Sequence, residues 1–233
     1  MRSKWLGLFG SFATLLLVAI AGYGFEADFE PSTYNPAAAE LVNLEVCQSC
    51  HGEGSGYYYA WDFNGDGQTD LETPDALVST SFEEAGFYQV KLTVFDGSGR
   101  RASCVRGILV GEYPAVGIRE MIREVDGSIL VLITISVHEN LSGLGFEESM
   151  PQGWQMVEVD VGGAITNRNA AERVLEVLWA MQLDSGDEIT FSYRLHPSYA
   201  TSSTQILGDL SGYAKGANVP FSGGICGDLQ LVL

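Results

Sequence analysis

The chain has 233 residues, with 12 Lys and Arg against 30 Asp and Glu, a formal net charge of −18 at pH 7. That length is enough for one large or two small domains. A surface so acidic is repelled by nucleic acid and by anionic membranes, which excludes both as partners; it suits cations, carbohydrate-rich matrices or high salt, or simply keeps the protein soluble.

Residues 1–21 have the order of a secretory signal. Arg2 and Lys4 form a basic start, Trp5 to Ile20 is apolar, and Ala19-Ile20-Ala21 is a small-x-small cleavage pattern. The alternative is retention as an uncleaved anchor, although the apolar run is slightly short for a membrane span. No other stretch is long and apolar enough to cross a bilayer as a helix, so stable insertion after cleavage is not expected. Export places the four cysteines in an oxidising compartment, secreted or at the cell surface.

Phe25 to Pro31 is a first short strand, and Leu41-Val-Asn-Leu44-Glu-Val46 alternates as the second. Tyr57, Tyr59, Trp61 and Phe63 then alternate with smaller or polar residues, the period of a half-buried strand. That strand breaks into Asn64-Gly65-Asp66-Gly67, where Asn and Gly tolerate the positive φ of a tight turn. Val78 to Phe82 is a further short strand. Gly86-Phe-Tyr88-Gln-Val90-Lys-Leu92-Thr-Val94-Phe-Asp96 is a long alternating strand that stops at Asp-Gly, and Ala102 to Val110 follows it.

These two motifs resemble the PKD family, an Ig-like β-sandwich marked by a W-D-F-G-D-G core and a later G-x-Y-x-V-x-L-x-V-x-D. Here the first motif reads W-D-F-N-G-D-G, one residue longer than the common form, and the second matches in full. Ser81-Phe82 stands where the family carries a His-x-Tyr. The resemblance covers Phe25 to Val110 and implies a non-catalytic domain that spaces, adheres or binds in exported proteins.

Gly111-Glu-Tyr-Pro114-Ala is a linker too short for free domain motion. Ser128 to Val137 is a β-branched run that reads as the most buried strand of the chain. Glu148-Ser-Met-Pro151-Gln-Gly153-Trp154 is similar to the E-x-x-P-x-G-W element of Ig-like domains that follow PKD domains in some prokaryotic surface proteins. Val174 to Met181 suits helix or strand; Trp179 and the turn at Leu183 to Asp187 favour strand. Ile189 to Leu195, Ile206 to Tyr213 and Asp228 to Val232 complete the set. The expected fold is all-β: two tandem Ig-like β-sandwiches, over residues 25–111 and 116–233, after the signal segment.

Three groups of residues suggest chemistry. Asp62, Asn64, Asp66, Gln68 and Asp70 match the first nine positions of a calcium loop, in which oxygen ligands alternate around a Gly. The bidentate Glu at its twelfth position is missing, and the competing reading is a polar turn whose Asp and Asn bond their own backbone. Cys47-Gln-Ser-Cys50-His51 has the spacing of c-type haem attachment, which would make the protein an electron carrier. The helical surroundings that enclose such a haem are lacking, and the competing reading is disulfide formation. Four cysteines allow three pairings; either Cys47 or Cys50 with Cys104, or Cys47–Cys50 together with Cys104–Cys226, is compatible with a sandwich, at about 2–4 kcal/mol per bridge. No catalytic constellation stands out: His51, His138 and His196 lie in unrelated contexts, and among 30 carboxylates proximity in sequence carries no weight. The function expected is non-enzymatic binding, adhesion or spacing against an extracellular protein or carbohydrate surface.

Overall fold

Strict alternation of apolar and polar residues is what shapes the N-terminal half. The structure, a computed structural model, describes residues 25–48, 56–169, 173–198 and 204–231, and every regular element in them is a strand. The signal segment lies outside these residues. The first seven strands are β1 (Phe29–Pro31), β2 (Leu41–Val46), β3 (Tyr58–Asp62), β4 (Leu71–Thr73), β5 (Leu77–Ser81), β6 (Gly86–Phe95) and β7 (Arg101–Val110). In β2, Val42, Leu44 and Val46 are buried while Leu41, Asn43 and Glu45 face solvent. A sheet ordered β1-β2-β5 packs over β7-β6-β3-β4. Between them Trp61 is fully buried, edge-on to Phe29 at 5.0 Å and stacked with Phe63 at 6.1 Å. Burying an indole this completely contributes about 5 kcal/mol, from ~200 Å² at ~25 cal/mol per Å².

The second half begins with β8 (Ala115–Arg123), β9 (Ile129–Val137), β10 (Leu141–Ser149), β11 (Trp154–Asp160), β12 (Ile165–Asn169) and β13 (Val174–Trp179). It continues with β14 (Glu188–Pro197), β15 (Thr204–Gln205), β16 (Gly208–Ala214), β17 (Phe221–Gly224), β18 (Cys226–Asp228) and β19 (Gln230–Leu231). A five-stranded sheet, β12-β13-β10-β16-β17, packs over β11-β14-β9-β8. Val131, Ile133 and Ile135 of β9 point into this core, and Phe191 sits between Phe146 at 4.9 Å and Trp179 at 5.4 Å. The alternate residues of β9 are only half-buried, so one face of that strand enters the core rather than both. Trp154 is buried here, as the Pro-x-Gly-Trp turn implies.

Several strands of this half escape sequence patterning, β10, β12 and β17 among them. In β10 the run Leu141-Ser-Gly-Leu144-Gly-Phe146 is glycine-rich, and a register shift between Leu141 and Gly143 breaks the period of two. The end of the chain also departs from expectation. Asp228 to Val232 reads as a strand of the second sandwich, but the described part divides. β19 pairs with β15, whereas β18 runs parallel to β8 (Gly227 beside Arg119) and antiparallel to β7 (Gly227 beside Gly107). Both sandwiches therefore share one nine-stranded sheet, ordered β11-β14-β9-β8-β18-β7-β6-β3-β4.

Gly227 makes that insertion sterically feasible. Its φ is +83°, and a Cβ there would lie 2.1 Å from the carbonyl oxygen of Arg119. Leu109, Val116 and Cys226 form a small junction core with Tyr34, Phe87, Tyr113 and Ile118 packed against it. The connection between the halves is also pinned: Gly111 donates its amide to the Pro36 carbonyl at 2.8 Å, and the Asn35 amide group donates to the carbonyls of Leu109 and Gly111.

Candidate binding surface

The loop after β3 gathers the five residues read as calcium ligands, but four of them, all except Gln68, accept backbone amides. Asp62 accepts the amides of Gly65 at 2.7 Å and Gly67 at 2.9 Å. Asn64 accepts from the Asp66 amide, Asp66 from the Gln68 amide, and Asp70 from the Phe63 amide. The Gln68 side chain donates to Asp66. This is the self-bonded turn chemistry of Asx residues, and Gly65 at φ +74° supplies its bend. Among the described residues no group of three or more His, Cys, Asp and Glu is placed to hold a metal ion.

Cys104 and Cys226 are free thiols, which corrects the pairings that draw either into a disulfide. Strand register gives the reason for the Cys104–Cys226 pair. Gly227 stands beside Gly107, which puts Cys226 level with Ile108, four residues from Cys104. At ~3.3 Å per residue that separation is about 13 Å, roughly twice what a disulfide spans. Burial pushes the Cys226 thiol up to about 12 and raises that of Cys104 as well. Cys47 follows β2, its amide donating to the Asp28 carbonyl. Cys50 and His51 lie outside the described residues, and with them the Cys47-x-x-Cys50-His51 arrangement.

Two charge clusters lock the junction. Arg106 on β7 contacts Asp28 at 2.9 Å, Glu30 and Asp228 each at 3.2 Å, and the Tyr34 hydroxyl. Burial raises Asp228 and Glu30 above the ordinary carboxylate range against the opposing pull of Arg106. Arg119 on β8 and Glu148 on β10 form a fully buried ion pair, and Arg119 also donates to the carbonyls of Ile206 at 3.2 Å and Asp228 at 3.0 Å. The Arg119–Glu148 pair is sealed from solvent, whereas Asp28 and Glu30 of the other cluster are partly exposed; both clusters contact Asp228 and hold the C-terminal segment.

An open surface that combines exposed aliphatic and acidic side chains is the outer face of the five-stranded sheet. Register lines up two rows across it. One runs Ile165, Leu178, Gly145, Ser211, and the next Asn167, Glu176, Glu147, Asp209. Ile165 is 61% exposed and Leu178 46%, and the two stand directly opposite each other in the β12–β13 pair. Gly145 leaves a shallow groove between Leu178 and Ser211. In the acidic row Asn167 donates to Glu176 at 2.6 Å, and no ion pair among the described residues involves Glu147, Glu176 or Asp209. Sequence reading missed this face because β10 and β12 went unseen, although the period of β13 already turns Glu176 and Leu178 outward.

Comparison with known proteins places the N-terminal half. Residues 31–106 match the family model of the PKD domain. No curated protein matches the chain. Among solved structures, the chain is similar to the collagen adhesin (CNA) from S. aureus at 9% identity, covering 90% of this chain and 94% of that one with a TM-score of 0.34. It is similar to carbohydrate-binding modules of the β-sandwich superfamily at 17% identity, over 88% of this chain and 97% of that one, TM-score 0.35. It also resembles the type II cohesin dyad from the adaptor ScaA scaffoldin of Acetivibrio cellulolyticus at 9% identity, over 89% and 98%, TM-score 0.39.

Proposed function

We propose, from the PKD-like, Ig-like β-sandwich that residues 31–106 form, that this protein is an extracellular, non-catalytic binding and spacing module. The N-terminal segment exports it. The N-terminal sandwich acts as a spacer, and the second sandwich presents the outer face of its five-stranded sheet to an extracellular protein or carbohydrate.

The observation that carries this reading is the single sheet running through both halves. Two sandwiches joined by a linker alone bend about it. Here β18 is hydrogen-bonded to a strand of each half, Arg106 ties Asp28 to Asp228, and Arg119 ties β8 to the last segment. A bound partner is then held at fixed distance and orientation from whatever the N-terminal sandwich contacts, which is what a spacer must do. The buried ionisable groups at the junction are consumed in this stitching.

Surface plasmon resonance of the purified protein against a panel of extracellular matrix proteins and soluble polysaccharides, run beside assays for peptide and glycoside hydrolysis, tests the proposal. Saturable binding without product is expected. Product formation, or no binding across the panel, overturns it.

A further inference from the structure

We infer that the outer face of the five-stranded sheet is a docking surface for a cationic, partly apolar segment of another protein, one with aliphatic residues along one side and Lys or Arg along the other. The inference rests on the binding reading above and gives it a partner class.

The acidic row carries the argument furthest. Glu176 is directly opposite Glu147 in the β13–β10 pair, and Glu147 is directly opposite Asp209 in the β10–β16 pair. Like charges directly opposite on a sheet destabilise it. Adjacent strands are ~4.8 Å apart, so the three carboxylates span about 10 Å, and among the described residues the Asn167 amide is the side-chain donor that relieves them. The rest of the molecule is no help, since the whole chain carries −18 and most of that charge lies outside this row. A partner that brings two or three cations relieves the row and gains from meeting it.

The neighbouring row sets the second requirement. Two residues along each strand, about 7 Å away, Ile165 and Leu178 expose aliphatic surface beside the groove floored by Gly145. Covering that surface is favourable for any apolar group that fits, while the polar end of the row at Ser211 limits how far the apolar strip extends. Charge and apolarity thus run in parallel stripes. A partner segment lying across the strands meets both.

The same features argue against other occupants. Nucleic acid and anionic lipid are repelled. A second copy of this chain would bring the same acidic row against itself. A neutral sugar gains most from an aromatic plane; Ile165 and Leu178 offer none, and the one exposed ring beside them among the described residues, Tyr213, stands past Ser211 and does not line the groove.

The test is fluorescence anisotropy of the purified protein with three short labelled peptides: alternating Lys and Val, alternating Lys and Ser, and alternating Glu and Val. The Lys–Val peptide is expected to bind, the Lys–Ser peptide to bind more weakly, and the Glu–Val peptide not to bind. The variant E147Q/E176Q/D209N should weaken Lys–Val binding at least about tenfold and flatten its salt dependence. The variant I165S/L178S should reduce Lys–Val binding to the level of Lys–Ser. A control, D75N/E83Q/E84Q, removes three exposed charges from the other sandwich and should leave binding within about twofold, because rim charges outside the contact act only through the long-range field. Equal weakening in the control, or none in the site variant, overturns the inference. So does binding of a neutral polysaccharide that I165S/L178S abolishes while the peptide does not bind. If a matrix ligand holds the E147Q/E176Q/D209N protein as tightly as the wild type, this docking face falls, and with it the choice of binding face, while the reading of the protein as a non-catalytic binding module stands; product formation in the hydrolysis assays removes that reading itself.

Discussion

Replacing Glu148 by Gln tests whether Arg119 clips the segment around Asp228 to the second sandwich. In the native fold both side chains are fully buried, and Arg119 spends its guanidinium on Glu148 and on the carbonyls of Ile206 and Asp228. Nε of Arg119 and one Glu148 oxygen have no hydrogen-bond partner, so the pair is imperfectly satisfied and is no stability gain in itself. Removing the carboxylate charge still leaves a buried cation uncompensated, which costs about 3–5 kcal/mol. For a chain of this size that is a fall in Tm of about 6–20 °C, at ~2–4 °C per kcal/mol.

The double variant R119M/E148L separates a clip from an ordinary buried pair. An apolar replacement of both partners is typically neutral or stabilising, by up to about 4 kcal/mol. Met cannot donate to the carbonyls of Ile206 and Asp228, and each orphaned buried carbonyl costs about 1–3 kcal/mol. The midpoints leave the double variant about 2 kcal/mol below the wild type. Urea unfolding followed by tryptophan fluorescence measures it, with hydrogen exchange at Gly227 showing whether β18 loosens first. Parity or a gain in the double variant would falsify the claim that Arg119 holds the C-terminal segment.

Gly227→Ala meets both the positive φ and the Arg119 carbonyl; β18 should leave the sheet, and small-angle scattering should change from one rigid particle to two jointed bodies, whereas an unchanged curve shows that β18 does not hold the halves together. Burial raises Asp228, so its contribution to stability is complete below the unfolded carboxylate value of about 4 and is lost as pH rises through the folded value. Asn cannot ionise, so the stability of D228N relative to wild type should improve between pH about 4 and 7, and no drift would mean that Asp228 titrates as if exposed. Cys104 and Cys226 should resist alkylation in the native protein and label as two thiols per chain on unfolding without reductant, leaving Cys47 and Cys50 as the one disulfide seen by mass spectrometry; rapid native labelling counts against the burial described. Because backbone amides already occupy the oxygens of Asp62, Asn64, Asp66 and Asp70, melting curves with millimolar Ca²⁺ and with chelator should coincide, and a calcium-dependent rise would show that the loop is a metal site.

What the sequence reveals and what it hides divide along local and non-local lines. Trp61, the β6 motif and the alternation of β2 are readable because each strand declares its own buried face with period two, and one core absorbs all of them. β10 hides because Gly143 and Gly145 carry no apolar signal and a bulge shifts its phase, although Leu141, Leu144 and Phe146 are all buried. Cys226-Gly-Asp228 is too short to show a period at all, and its neighbours in the sheet come from residues near 107 and 119. The candidate docking face was half visible: outward Glu176 and Leu178 follow from β13 itself. That Glu147 and Asp209 stand in line with Glu176 depends on register, which no single strand encodes.

The insertion of β18 answers a problem set by the other strands. Without it, β7 and β8 would each present an open edge toward the other, ten and nine residues long. Long edges with unpaired amides and carbonyls invite pairing with another chain. The small junction core of Leu109, Val116 and Cys226 could not by itself keep two such edges apart and covered. One short strand covers part of both, and it does so parallel to β8, a geometry that a hairpin cannot produce and that therefore requires a segment returning from far along the chain. The N-terminal sandwich contains local hairpins such as β6–β7, whereas the pairing of β18 with β7 joins residues far apart in sequence. The stiffness of the joint therefore rests on non-local contacts: β18 seated between β7 and β8, and Arg106 bridging Asp28 and Asp228.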